Sequence, residues 1–170
     1  EERHCPMNWL IGMIMSNGLG QSDFQWGLRT NPQIREIWEK LYQTKELVVS
    51  FDGFSLFLSK EQNAETWLHI DQHPTDPLYS VQGAYNFFPV GEEDAGFIVV
   101  PGSHKTYHPL NIEKNRKFIL IEEDDPHREK AVKLIIPENC FVLWNSKTIH
   151  ANRGMGMMKS KEMNLSLIHI

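Results

Sequence analysis

From residue 47 onward, the chain is a succession of short runs of β-branched and aromatic residues separated by Gly, Pro, Asn and Asp. Runs of this length, bounded by turn residues, predict strands. The predicted strands cover residues 47–51, 67–71, 80–88, 97–100, 118–121, 132–136, 140–144 and 164–170. Because no helical pattern comes between them, they favour a mainly β, mostly antiparallel sandwich, barrel or jelly roll over a parallel α/β sheet.

One helix is indicated ahead of these strands. Asn31 is a suitable N-cap, and Pro32 suits the first helical position. The apolar residues that follow recur at helical spacing: Ile34, Ile37, Trp38, Leu41 and Tyr42. The length of 170 residues fits a single domain, in which we expect residues 1–46 to form a flank of helix and loop and residues 47–170 to form the β core. Because the last run stops within an alternating pattern, we expect the sequence to be a fragment of a longer chain.

The charge and the cysteine content exclude several function classes. The chain has 17 Lys and Arg against 22 Asp and Glu, a net charge of −5, which is the wrong sign for binding a nucleic acid backbone. Cys5 and Cys140 are far apart and neither has a CxxC partner, which predicts a reducing compartment such as the cytoplasm. The longest apolar stretch, residues 9–15, is too short to span a bilayer.

A candidate metal site begins in the run at residues 67–71. His69 and Asp71 are two residues apart and therefore share one face of a strand. His150 follows 79 residues after Asp71, in a second short strand that comes after a polar turn. Two imidazoles and one carboxylate on one side of an ion leave its other positions open, which is the arrangement of non-haem Fe(II) sites that activate oxygen.

Other ligand sets fit this site less well. In an extended strand, His73 is about 13 Å from His69, which is too far for both to bind one ion. His104 lies in a predicted turn after the run at residues 97–100 and is left off the metal site. A structural zinc site would need four ligands, usually with cysteine, and neither cysteine has a suitable neighbour. Hydrolysis at a Zn²⁺ or Mn²⁺ ion bound by the same three residues is a further alternative.

Four segments between residues 48 and 152 resemble the phytanoyl-CoA dioxygenase-like family of Fe(II)/2-oxoglutarate-dependent oxygenases. They are His69-Ile-Asp71-Gln72, Ser80-Val-Gln-Gly-Ala-Tyr-Asn-Phe-Phe, Gly96-Phe-Ile-Val-Val-Pro-Gly-Ser-His-Lys105 and Phe141-Val-Leu-Trp-Asn-Ser-Lys-Thr-Ile-His150-Ala-Asn152. The resemblance implies a double-stranded β-helix, a cupin-like jelly roll, with a few flanking helices. It also implies that His69, Asp71 and His150 bind iron. The implied reaction uses O₂, converts 2-oxoglutarate to succinate and hydroxylates a small or lipid-like organic substrate.

The residues that would bind the co-substrate depart from the family pattern. Members of the family usually carry an Arg roughly ten to fifteen residues after the distal histidine, and this window contains lysines instead. We expect Lys161 to take the place of that Arg. A non-catalytic jelly-roll binding module that has lost the co-substrate is the alternative.

Three amide side chains are further candidates for co-substrate binding. Gln82 and Asn86 share a strand face, so they either line the cavity as hydrogen-bond donors or face water while aromatic residues fill the core. Asn152, two residues after His150, either contacts the co-substrate or caps its own turn.

Overall fold

The computed structural model of the chain describes residues 7–8, 13–14, 18–50, 53–55, 67–92, 94–109, 112–113, 116, 118–153 and 166–169. The strands within these ranges are β1 (Met7–Asn8), β2 (Met13–Ile14), β3 (Phe54–Ser55), β4 (His69–Ile70), β5 (Val81–Asn86), β6 (Gly96–Val99), β7 (Ile119–Leu120), β8 (Val132–Lys133), β9 (Cys140–Asn145), β10 (His150–Arg153) and β11 (Ser166–His169). The helices are α1 (Asp23–Arg29), α2 (Pro32–Tyr42) and α3 (Ser103–Thr106), with short 3-10 turns at Leu19–Gln21 and Arg128–Lys130.

The strands form two antiparallel sheets. One has the order β1-β2-β3-β11-β5-β9 and the other the order β7-β4-β10-β6-β8. Strands that are distant in sequence are therefore neighbours in space, as in a jelly roll. The prediction of a mainly β, jelly-roll fold with few helices is confirmed.

The second sheet separates its apolar residues from its functional ones by strand periodicity. One face of β4, β6 and β10 belongs to a buried apolar cluster that includes Ile70, Ile98 and Ala151. Because successive side chains of a strand point to opposite faces, His69 and His150 lie on the other face, toward the first sheet. Phe97 on that inner face packs against Trp144 of β9, with ring centroids 4.6 Å apart.

Helix α2 begins as the sequence predicts. The side chain of Asn31 accepts hydrogen bonds from the backbone nitrogens of Gln33 and Ile34, and Pro32 is the first helical residue. Ile34 is buried, while Ile37 and Tyr42 at the outer parts of the apolar stripe are about one third exposed, 36% and 37%. No helix in the described ranges is long and apolar enough to cross a membrane.

One local prediction is wrong, one helix was not predicted, and one predicted turn is correct only at residues 101–102. Residues 47–50 do not form a strand, and Val48 is 99% exposed, because β-branched residues form a strand only where a neighbouring strand pairs with them. Helix α1 was not predicted: Ser22 caps it by accepting from the backbone nitrogen of Gln25, while Gly27 weakens its helical pattern. The predicted turn at residues 101–104 contains the first residues of α3.

Gly83 in β5 allows α2 to pack closely on the outer face of the first sheet. A Cβ atom at this position would lie 2.5 Å from Cζ of Phe141 and 2.8 Å from Cζ2 of Trp38. Both atoms belong to rigid rings that also pack edge to face against each other, with centroids 5.9 Å apart. A methyl group would therefore push α2 away from the sheet.

We expect Gly83→Ala to lower the free energy of unfolding by about 1–3 kcal/mol because of this overpacking. Gly27→Ala is the matched control, since a Cβ at this exposed helical position meets nothing within 4 Å. It should raise the free energy of unfolding by about 0.5–1 kcal/mol. Urea denaturation measures both values, and equal effects of the two substitutions would contradict the close approach of α2.

Candidate metal centre

Strand pairing brings the three predicted metal ligands together. His150 is the direct cross-strand partner of His69 in the β10–β4 pair, and Asp71 follows β4 by one residue. The imidazole Nε2 of His69 lies 3.4 Å from Oδ1 of Asp71, and Nε2 of His150 lies 3.2 Å from Oδ2. One ligand atom from each residue falls within 4.8 Å of the others, so the cluster has the dimensions of a metal site.

Backbone carbonyls fix the orientation of both imidazoles. Nδ1 of His69 lies 3.0 Å from the carbonyl oxygen of Trp67, and Nδ1 of His150 lies 2.8 Å from that of Thr148. A carbonyl oxygen only accepts hydrogen bonds, so each Nδ1 carries a proton and donates it. In a neutral ring the other nitrogen, Nε2, is then unprotonated and presents a lone pair to Asp71.

Burial determines the charge state of this cluster. Desolvation lowers the pKa of His150, which outweighs the opposing effect of the Asp71 carboxylate, so this ring is neutral near pH 7. Burial alone would raise the pKa of Asp71, but the contacts with His150 and His69 outweigh it and hold the pKa well below the ordinary value. Those contacts lower the pKa only while an Nε2 atom carries a proton; where His150 is neutral, its bare Nε2 and the ionised carboxylate are two hydrogen-bond acceptors in contact, and a proton or a metal cation must lie between them.

Aromatic rings enclose the two histidines but leave Asp71 accessible. Trp67 stacks on His69 at a centroid distance of 4.4 Å and an interplanar angle of 8°, and Phe118 packs on His69 at 4.6 Å. Trp144 packs on His150 at 5.2 Å. The histidine side chains are 4% and 3% exposed, whereas that of Asp71 is 29% exposed. An ion and its ligands can therefore approach from the side of the carboxylate.

Several hydrogen bonds hold the segment that carries Asp71 against the turn before β10. The backbone nitrogen of Asp71 donates to the carbonyl of Ser146 at 3.1 Å, and the hydroxyls of Ser146 and Ser80 are 2.8 Å apart. The ammonium group of Lys147 donates to the carbonyl of Pro74 at 3.0 Å. These contacts couple the position of Asp71 to the loop that leads into His150.

The amide of Gln82 contacts the metal cluster directly. Its Nε2 donates to Oδ2 of Asp71 at 2.8 Å, and its Oε1 is buried with no partner among the described residues. The bond orients the carboxylate toward the imidazoles. Co-substrate binding by Gln82 stays a prediction, and the structure adds this contact with Asp71 to it.

The other predicted co-substrate residues lie at different places. Asn86 is fully buried and neither atom of its amide has a partner among the described residues, so the alternative that it faces water is wrong. Asn152 is buried beyond His150 on the inner face, where its Nδ2 donates to the hydroxyl of Ser55 at 3.1 Å. It therefore does not cap its own turn. Lys161 lies outside the described residues.

The excluded histidines are engaged elsewhere. Nδ1 of His73 lies 2.9 Å from the hydroxyl of Thr75, and His73 does not belong to the metal cluster. His104 lies in α3 and does not belong to it either.

The carbonyls that orient the two histidine ligands could not be identified from the sequence. In both cases the carbonyl belongs to the residue two positions before the histidine, and no side-chain pattern in the sequence marks such a contact.

Replacing Asp71 by Asn tests whether the carboxylate oxygens of Asp71 face unprotonated imidazole nitrogens. An amide nitrogen in the place of Oδ1 can donate to Nε2 of His69, while the amide oxygen still accepts from Gln82. We expect metal-free Asp71→Asn protein to be at least as stable as the parent, with a free energy of unfolding up to about 1 kcal/mol higher. Urea denaturation in the presence of a chelator measures the difference.

Asp125→Asn is the matched control. The backbone nitrogen and Nδ1 of His127 both lie 2.8 Å from Oδ1 of Asp125, so this carboxylate accepts ordinary hydrogen bonds. Loss of its charge should cost about 0.5–1 kcal/mol. If Asp71→Asn destabilises the protein as much as this control, the Asp71 carboxylate does not face bare imidazole nitrogens.

Comparison with known proteins supports the same architecture. No model of a known protein family matches the chain. It is 30% identical over 167 residues to "Ava biosynthesis cluster protein O" of Aspergillus versicolor, an alignment that covers 86% of this chain and 54% of that protein. It also superimposes with a TM-score of 0.59 on the epimerase SnoN, whose crystal structure is a complex with Fe³⁺, alpha ketoglutarate and nogalamycin RO. That likeness has 21% identity and covers 88% of this chain and 58% of the SnoN chain. The chain thus spans just over half the length of each, and it shares the SnoN fold.

Proposed function

We propose that the protein is an Fe(II)- and 2-oxoglutarate-dependent oxidoreductase that uses O₂. The observation that carries the proposal is the convergence of two Nε2 atoms and one carboxylate, none of which donates a hydrogen bond to another when the imidazoles are neutral. A divalent cation satisfies all three acceptors at once. SnoN, which has the same fold, was crystallised with Fe³⁺ and alpha ketoglutarate, and this supports iron as the metal.

The donor set fits iron and leaves room for other ligands. His69, Asp71 and His150 supply two imidazoles and one carboxylate, the facial arrangement in which an iron ion keeps open positions. Hydrogen bonds from each Nδ1 to a backbone carbonyl orient the rings and raise their basicity as ligands. When bound, iron and the keto acid supply the oxidation of a C–H bond coupled to decarboxylation of the keto acid to succinate.

The buried amides fit a keto acid. The amide of Asn86 and the carbonyl of Gln82 have lost their water and have no partner among the described residues, which is costly unless a ligand bonds to them. The amide nitrogen of Asn86 can donate to a carboxylate. Gln82 keeps the Asp71 carboxylate in place while Trp67 and Phe118 exclude water from His69. We propose that Asn152 lines the same chamber and that Lys161 binds the distal carboxylate.

Hydroxylation of a small or lipid-like organic molecule is the reaction we favour. Epimerisation is the second candidate, because the solved neighbour SnoN is an epimerase. Both outcomes begin with removal of hydrogen from carbon. In hydroxylation oxygen returns to that carbon, whereas in epimerisation a hydrogen atom returns to its opposite face and an external reductant, such as ascorbate in the assay, supplies the electrons that balance decarboxylation of the keto acid. The accessible side of Asp71 is where the reacting carbon would approach.

Succinate formation tests the proposal. With Fe(II), O₂ and 2-oxoglutarate, we expect the parent protein to form succinate even without substrate, and Asp71→Ala to fall to background because one of three metal ligands is lost. Asp125→Ala, which removes a carboxylate from the other His–Asp contact, should keep the parent rate. Chromatography of the acid products measures both.

The outcomes separate the candidate functions. Equal succinate from the parent and Asp71→Ala would reject the assigned ligands. Thermal stabilisation by iron and 2-oxoglutarate without succinate would point to a binding module. Conversion of a substrate in the absence of O₂ would point to hydrolysis at a Zn²⁺ or Mn²⁺ ion bound by the same residues. Once a substrate is found, a gain of one oxygen atom identifies hydroxylation, whereas an unchanged mass in H₂O together with uptake of one deuterium at carbon in D₂O identifies epimerisation.

Metal affinity should depend on pH through the imidazoles. A metal competes with a proton for Nε2, and burial lowers the pKa of His150, so competition begins only below the ordinary histidine pKa of about 6.5. We expect Mn²⁺ affinity to be constant between about pH 8 and 7 and then to fall by about tenfold per pH unit for each histidine that takes up a proton. Titration calorimetry measures this profile. Affinity that already falls between about pH 8 and 7 would contradict the lowered pKa of His150.

A further inference from the structure

The turn before β10 contacts two of the three proposed metal ligands. It is a β-turn over residues 145–148, in which the backbone nitrogen of the last residue donates to the carbonyl of the first at 2.8 Å. The carbonyl of Ser146 accepts from the backbone nitrogen of Asp71, and the carbonyl of Thr148 orients the imidazole of His150. The position of this turn therefore affects a carboxylate ligand and an imidazole ligand at the same time.

The side chain of Lys147 in this turn reaches the segment at residues 71–76. Its ammonium group donates to the carbonyl of Pro74 at 3.0 Å and also to the carbonyl of Asp76. Both hydrogen bonds are charge-assisted, which makes them stronger than bonds between neutral groups. Together with the backbone bond from Asp71, they attach both ends of the segment to the same turn.

Burial contributes little to holding the outer part of this segment. Its buried residues are the first two after the metal ligand, whereas Thr75 is exposed, and Leu78 and Tyr79 beyond the segment are more than half exposed. The bond between His73 and Thr75, and the bond from the backbone nitrogen of Asp76 to the carbonyl of His73, lie within the segment. Such internal bonds determine the shape of the segment, whereas the bonds from Lys147 determine where it lies relative to the turn.

A second lysine holds a loop in the same way but away from the metal centre. Lys133 lies on the edge strand β8, which β6 separates from β10. Its ammonium group donates to the carbonyls of Gly91, Glu92 and Asp94, in the loop before β6. None of the three metal ligands lies in that loop. The two lysines thus have the same chemistry, and only Lys147 acts on a segment that carries a ligand.

We propose that Lys147 is a positioning residue of the metal centre and raises its affinity for the metal ion. By holding residues 71–76 against the turn, its ammonium group keeps the carboxylate of Asp71 at a fixed distance from the imidazole of His150. The segment is then ordered before the ion arrives, so that metal binding does not have to supply the free energy of ordering it. This inference rests on the metal-binding part of the proposed function.

Replacing Lys147 by Met tests the proposal. Methionine keeps an apolar side chain of similar length but cannot donate to the two carbonyls. Loss of a group that positions a metal ligand commonly weakens metal binding by about 10–100-fold, and we expect about tenfold weaker Mn²⁺ binding because Lys147 acts through the backbone. Lys147→Arg retains the donors and should bind Mn²⁺ within about threefold of the parent. Titration calorimetry without 2-oxoglutarate or O₂ measures both affinities.

Lys133→Met is the matched control. It loses bonds to three carbonyls, so urea denaturation should show a loss of stability at least as large as that of Lys147→Met, while Mn²⁺ affinity stays at the parent value. Lys147→Gln, whose side chain is neutral and shorter, should show the same loss of Mn²⁺ affinity as Lys147→Met and replaces it if the Met variant does not fold. Equal losses of affinity in Lys133→Met and Lys147→Met would indicate a general effect of destabilisation and overturn the proposal.

The two proposals fail in distinguishable ways. If the parent binds Mn²⁺ and Lys147→Met binds it equally tightly, only the role of Lys147 is rejected. If Mn²⁺ affinity responds to Lys147 as expected but the parent forms no succinate, only the oxidoreductase is rejected. A parent protein that binds no Mn²⁺ would reject both.

Discussion

The candidate site is built around an interaction that is unfavourable until a cation is present. Two backbone carbonyls hold protons of His69 and His150 on Nδ1, and in neutral rings the bare Nε2 atoms face the oxygens of Asp71 at 3.4 and 3.2 Å. Lone pairs at that distance repel each other, and burial of the two imidazoles keeps water away from their nitrogens. The rest of the fold must hold this arrangement together, which is the usual cost of a preorganised metal site.

The second sheet supplies the rigidity that this site needs. His69 and His150 are direct cross-strand partners, so the register of β4 and β10 fixes the distance between the imidazoles. The opposite faces of both strands lie in the apolar cluster around Ile70 and Ala151, and a shift of one residue would bury the histidines there instead. Asp71 lies beyond the end of β4, where Gln82 and the Ser146 carbonyl position it. The two histidines are thus fixed by the sheet and the carboxylate by hydrogen bonds.

Strand positions could be predicted from the sequence better than the surroundings of the site. Most of the runs of β-branched and aromatic residues form strands, because alternation is a local property of the chain. The segment at residues 47–50 has the same composition but pairs with no strand among the described residues, because strand pairing depends on residues distant in the sequence. The pairing of His69 with His150 joins residues far apart in the chain, so the residue pattern makes both of them candidate ligands, and only the resemblance to a known family implies that they bind the same ion. The bond from Gln82 to Asp71 was missed for the same reason.

The inward-facing polar residues divide into two chemical groups. Close to the ion position are a carboxylate and two imidazoles, whereas Gln82, Asn86 and Asn152 supply neutral amides on the inner faces of β5 and β10. Amides orient a ligand by hydrogen bonds but do not balance a buried negative charge. A dicarboxylate that binds iron with one end therefore needs a cation for its other end, and the described inner faces of β5 and β10 do not supply one. That requirement is the physical reason for expecting a lysine such as Lys161 to complete the chamber.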